Sequence, residues 1–213
     1  HRELILPQLA GPGVSAHRVK KSSGFKVIYG PIRAEDLAAF LDAGYKATPE
    51  MRLKTFKTAE RAVLIPVELV GVLKIAVIVL PILFLLDSLW STGAFGSNGL
   101  SHGLYSVGAV LAAILAGVVL TPLLLPWLPG RAFSFKGMIL GILVASAFLV
   151  FRGSAWETWP DRLETATWSL VIPALSAYLA MNFTGASTYT SLSGVKKEIR
   201  RAVPLQIGAG VLG

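Results

Sequence analysis

At Arg61 the chain changes solvent. Residues 1–61 are polar, basic and punctuated by turn residues. Residues 62–86 then read AVLIPVELVGVLKIAVIVLPILFLL, and more apolar stretches follow. A run of about 20 apolar residues is the length that crosses a bilayer. The sequence therefore joins a water-facing piece to a membrane piece, and any function has to make sense at a bilayer.

Composition agrees. Only 15% of residues are charged and the mean hydropathy is +0.64, whereas a soluble chain carries roughly 25% charged residues. The net charge of +8 raises nucleic acid as a partner, but the distribution argues against it. Eleven of the 20 Lys and Arg residues precede Ala62, and most of the others lie between apolar stretches. That is a membrane-orientation pattern, not a groove-binding stripe. There are no cysteines, so this chain offers no disulfide, thiol nucleophile or thiolate ligand. His1, His17 and His102 show no metal-ligand spacing and read as ordinary surface or loop histidines.

Within residues 1–44 the pattern predicts β-α-β-α. Leu4, Ile5 and Leu6 read as a buried strand, followed by the turn-prone Ala10, Gly11, Pro12 and Gly13. Residues 14–21 form a short helix and residues 25–29 a second strand, stopped by Gly30 and Pro31. Leu37, Phe40 and Leu41 mark an amphipathic helix over 33–43, with Gly44 as its C′ residue. This is the closing part of a Rossmann-like doubly wound sheet. About 45 residues bury too little for an independent core, so further strands, from chain upstream of His1, are expected. Residues 45–61 form a basic juxtamembrane linker, suited to anionic headgroups.

Residues 62–213 are expected to be an α-helical membrane bundle of five spans: 62–86, 104–128, 133–151, 165–183 and a truncated 200–213. Prolines within these stretches favour packed helices whose neighbours re-satisfy freed carbonyls. Counting Lys and Arg on alternate sides gives 17 against two, with Lys74 inside a span. The positive-inside rule then places residues 1–61 in the cytoplasm, in a multi-pass cytoplasmic-membrane protein. Trp90, Trp156, Trp159 and Trp168 are expected at the outer interface and Trp127 at the inner one.

Three features bear on chemistry. Ala10, Gly11, Pro12, Gly13 and Val14 leave a strand end and enter a helix, where open α/β sheets bind ligands; the same pattern also makes a tight βα turn. Glu68 and Lys74 place charges at membrane depth, on different helix faces. Residues 182–198 are dense in hydroxyls and include Lys196 and Lys197. They serve either as a phosphate-binding loop or as a polar connector. No Ser/His/Asp triad, phosphate-binding loop motif or carboxylate pair is present, so the local pattern assigns no catalytic residue.

HRELILPQLAGPGVSAHRV and FKVIYGPIRAEDLAAFL resemble the C-terminal part of the corrinoid domain of the corrinoid iron–sulfur protein large subunit. The shared positions are His1, Arg2, Leu4, Ile5 and Pro7, then Val27, Gly30, Pro31, Ala34 and Asp36. KATPEMRLKTF, RAVLIPVELVGVLK and MNFTGASTYTSLSGVKKEIR, together with the spans, resemble the mercury-methylating membrane corrinoid family (HgcA). The resemblance covers essentially the whole chain. It implies a corrinoid-dependent methyltransferase in which a cobamide carries a methyl group on cobalt and passes it to Hg(II). It also implies a ferredoxin-like partner (HgcB) whose [4Fe–4S] clusters regenerate Co(I), a methyl-donor protein, and the remaining N-terminal corrinoid domain. Within this chain Ala10, Gly11, Pro12, Gly13 and Val14 are the best candidates for corrinoid contact, through backbone and small side chains and not as catalytic groups. The family's Asn-Val-Trp-Cys-Ala-Ala-Gly-Lys motif, which supplies a cysteine below cobalt, is absent here. The chain is then either a C-terminal portion or a relative without that ligand. Alternatives are a membrane-anchored corrinoid carrier of one-carbon metabolism and a small transporter; against transport, no cysteine is present to bind a soft metal.

Overall fold

The computed structural model describes residues 2–54, 56–90, 97–152, 159–183 and 192–212. The chain divides into two compact units, residues 1–55 and 56–213.

In the first unit, strands β1 (Glu3–Pro7) and β2 (Lys26–Gly30) pair in parallel, with Glu3 opposite Lys26 and Pro7 opposite Gly30. Parallel strands need a crossover, and α1 (Ala16–Ser23) supplies it. Gly24 ends α1 at φ 75°, with its N–H on the Lys20 carbonyl. Helix α2 is shorter than the sequence predicts. It spans Leu37–Asp42 after a 3₁₀ turn over Ala34–Asp36. Its end is a Schellman motif: Tyr45 N–H bonds the Phe40 carbonyl and Gly44 N–H bonds the Leu41 carbonyl, both at 3.0 Å. The Tyr45 ring meets the Phe40 ring edge-on, with centroids 5.9 Å apart, the apolar contact that accompanies such an end.

Phe40 is the one large apolar side chain buried among this unit's described residues. It reaches the sheet because Gly30 has no side chain: a Cβ there would stand 3.4 Å from the Phe40 ring and 3.1 Å from Ile5. Among the described residues the sheet has two strands, and two strands alone are marginal in water.

The second unit is helical. Four helical segments are long and apolar enough to cross a membrane: Thr58–Leu89, Leu100–Leu124, Phe133–Phe151 and Asp161–Phe183. They lie within α3 (Thr58–Trp90), α4 (Ser97–Ile114) with its continuation through α5 (Thr121–Leu124), α6 (Phe133–Arg152), and α7 (Trp159–Met181) with the two residues after it. The stretch 200–213, expected as a fifth span, belongs to α8 (Leu192–Leu212), which is not among these four. Lys196, Lys197, Glu198, Arg200 and Arg201 occupy its N-terminal half and leave too short an apolar remainder.

Between α4 and α5, residues Leu115–Leu120 widen into a π-helical turn just before Pro122. Such bulges absorb backbone groups that the regular ladder does not pair, and here the Thr121 hydroxyl donates to the Ala116 carbonyl at 2.8 Å. Helices α6 and α7 approach most closely, at Gly137 and Gly141. A Cβ at Gly141 would stand 2.6 Å from the Pro173 Cα, and one at Gly137 2.7 Å from the Ser176 carbonyl oxygen. Small residues four apart let helix backbones meet in a membrane. Trp168, expected at the outer interface, is buried against Ala109, Ala145 and Ile172. Trp127 and Trp159 are exposed, and Trp156 and the Trp90 side chain lie outside the described residues.

Candidate functional site

The strand β1 ends at Pro7, and a 3₁₀ turn over Gln8–Ala10 reverses the chain. Gly11 N–H bonds the Gln8 carbonyl at 3.1 Å. The Ala10 carbonyl accepts from both Gly13 N–H (3.0 Å) and Val14 N–H (2.9 Å). Residues 10–14 are thus folded by their own backbone. They are also pinned from outside, because the Tyr29 hydroxyl on β2 donates to the Val14 carbonyl. The parallel register puts Tyr29 opposite Leu6, next to the strand end that the loop leaves.

Gly11, Pro12 and Gly13 are exposed, and Ala10 and Val14 are half-buried. No side chain in the loop is larger than Val14. A Cβ on Gly11 would meet the Gln8 carbonyl oxygen at 3.2 Å, and one on Gly13 would meet nothing nearer than the Ala10 oxygen at 3.9 Å. The result is a low ledge at the carboxyl end of a parallel strand. It fits contact with the face or edge of a large flat ligand. It does not fit axial ligation of cobalt, since the ledge carries no imidazole, thiolate or carboxylate. Among the described residues no group of His, Cys, Asp and Glu side chains could hold a metal ion.

The other singled-out residues do not join this ledge. Glu68 is half-buried and Lys74 exposed, and neither makes a hydrogen bond or ion pair among the described residues. The hydroxyl-rich segment falls largely on residues 184–191, outside the described residues, while Lys196 and Lys197 lie in α8. His102, read as a surface histidine, instead bridges α4 to α7. Its Nδ1 lies 3.1 Å from Glu164 Oε2. Beside it the Ser106 hydroxyl donates to Asp87. The pinning role of Tyr29 was missed too; the signal available was a hydroxyl-bearing ring on the strand that pairs with β1.

Comparison of the chain with protein-family models, curated proteins and solved structures finds no match.

Proposed function

We propose that the protein is a multi-pass membrane corrinoid protein that methylates Hg(II). The observation that carries this reading is the position of the resemblance motifs. His1 to Pro7 and Val27 to Asp36 bracket the two parallel strands, and the small-residue ledge sits at the end of the first. The same chain continues into helices of membrane length.

When bound, the cobamide supplies the organometallic chemistry, a methyl group passing from cobalt to the substrate Hg(II). The chain's own residues bind and orient. Ala10, Gly11, Pro12, Gly13 and Val14 offer backbone and small-side-chain contact, and Tyr29 holds the far end of that loop in place. A cysteine ligand to cobalt would have to come from the remaining N-terminal corrinoid domain, and the [4Fe–4S] clusters would belong to the separate ferredoxin-like partner. In this reading residues 1–61 are cytoplasmic, and the apolar end of α8 continues as a fifth span.

The test uses the full-length protein in membranes, with cobamide, reductant and Hg(II). The reading expects corrinoid absorbance in the purified protein and methylmercury in the product. Gly11→Trp is expected to abolish both, because an indole would stand on the ledge. Bound corrinoid without methylmercury would leave the one-carbon carrier instead. Corrinoid absorbance unchanged by Gly11→Trp would refute the ledge as the site.

A further inference from the structure

A groove of about 1160 Å³ opens between α6, α7 and α8. It is larger than the roughly 300–1,000 Å³ typical of small-molecule pockets. One end is basic: Arg131, just before α6, lies there with Lys197 and Arg201 from the first turns of α8. All three are exposed, and none is in an ion pair among the described residues. The remainder is mostly apolar, with Ile142, Pro173 and Leu205, and also takes in Ser169 and Gln206.

The two parts follow one another along the helices. Lys197, Arg201 and Leu205 are successive i, i+4 positions, so they form a single stripe on α8. At 1.5 Å per residue the stripe from Lys197 to Ala209 is about 18 Å long, and the helical part from Phe133 to Ile142 about 14 Å. One leaflet of a bilayer's hydrocarbon is roughly 15 Å deep. The groove therefore has the length of one leaflet, with its cations at one end.

Glu198 also lines the basic end. Its Oε1 accepts from the Ser134 backbone N–H at 2.6 Å, at the start of α6 where a carboxylate is favoured by the helix dipole. The carboxylate is thus turned to α6, and the three cations still outnumber it.

We propose that this groove binds an anionic phospholipid, with its phosphate between Arg131, Lys197 and Arg201 and an acyl chain along Ile142, Pro173 and Leu205. The charge of the head end favours a lipid over an apolar helix, which would leave three cations facing no counter-charge. The site is independent of the corrinoid reading.

The experiment is native mass spectrometry of the protein released from mixed phosphatidylglycerol and phosphatidylethanolamine. Wild type is expected to retain phosphatidylglycerol at least tenfold over phosphatidylethanolamine. The triple variant Arg131→Gln, Lys197→Gln, Arg201→Gln is expected to lose that preference. A control, Lys196→Gln with Arg200→Gln, removes two charges from α8 outside the groove and is expected to keep it. Leu205→Trp, which leaves every charge in place and blocks the apolar floor, is expected to lower retention and guards against misfolding of the triple variant. Equal retention of the two lipids by wild type would overturn the proposal. So would an unchanged preference in both groove variants, or competition by inorganic phosphate at the lipid's own concentration.

Discussion

Ser176 on α7 donates its hydroxyl to the Ala113 carbonyl on α4 at 3.1 Å, and both residues are fully buried. The same serine faces α6. A Cβ on Gly141 would stand 2.9 Å from its Cβ, and one on Gly137 2.7 Å from its carbonyl oxygen. One small polar residue thus holds three helices at backbone distance, where a membrane offers no water to drive association.

The first prediction follows from that contact. Gly141→Leu puts a side chain where Pro173 and Ser176 already stand, and overpacking of this kind costs about 1–3 kcal/mol. The variant is expected to melt at lower temperature in detergent and to lose its single symmetric peak in size-exclusion chromatography. Gly71→Ala is the control, because a Cβ there meets nothing within 4 Å; its melting temperature is expected to hold or rise, since alanine favours helix over glycine. Equal melting of wild type and Gly141→Leu would show that α6 and α7 do not meet at this glycine.

A second prediction separates two buried cations. Lys136 Nζ donates to the Leu125 carbonyl at 2.6 Å, just past the end of α5. Arg61 donates through Nη2 to Thr58 at 2.7 Å, but its Nε and Nη1 are buried and have no hydrogen-bond partner among the described residues. Lys136→Met leaves a buried carbonyl without this donor and is expected to destabilise by about 1–3 kcal/mol. Arg61→Met removes donors that are mostly unpaired, and its cost is expected to be near zero or negative. Thermal melts of the two variants and the double variant check this; a larger loss for Arg61→Met than for Lys136→Met would reverse the assignment.

The sequence showed some of this and hid the rest for physical reasons. The apolar stretches were legible because membrane helices are defined by length and hydropathy, properties a single chain carries by itself. The strands and the Gly44 helix end were legible because they rest on local turn chemistry. The stretch 200–213 reads as apolar by itself, but it shares α8 with Lys196, Lys197, Glu198, Arg200 and Arg201, so α8 is not among the four helices long and apolar enough to cross a membrane. The burial of Trp168 was not legible because its partners Ala109 and Ala145 sit on other helices. Gly137-x-x-x-Gly141 was readable as a close-packing pattern, but its partner Ser176 was not, since pairing across helices is set by three-dimensional packing. The groove was invisible for the same reason: Arg131 and Arg201 are 70 positions apart.

The last prediction concerns orientation. The positive-inside count puts residues 1–61 and the start of α8 in the cytoplasm, with the start of α7 outside. The absence of native cysteine makes single-cysteine labelling clean. Lys46→Cys, Ser193→Cys and Trp159→Cys each place one thiol on a described residue outside the apolar core of its span. In intact cells a membrane-impermeant maleimide is expected to label Trp159→Cys alone. After the membrane is permeabilised all three are expected to label, which shows that the other two thiols are accessible. Labelling of Ser193→Cys in intact cells would invert the bundle. It would also move Arg131, Lys197 and Arg201 to the outer leaflet, because α6 and α8 begin on the same side as one another in a four-helix alternation.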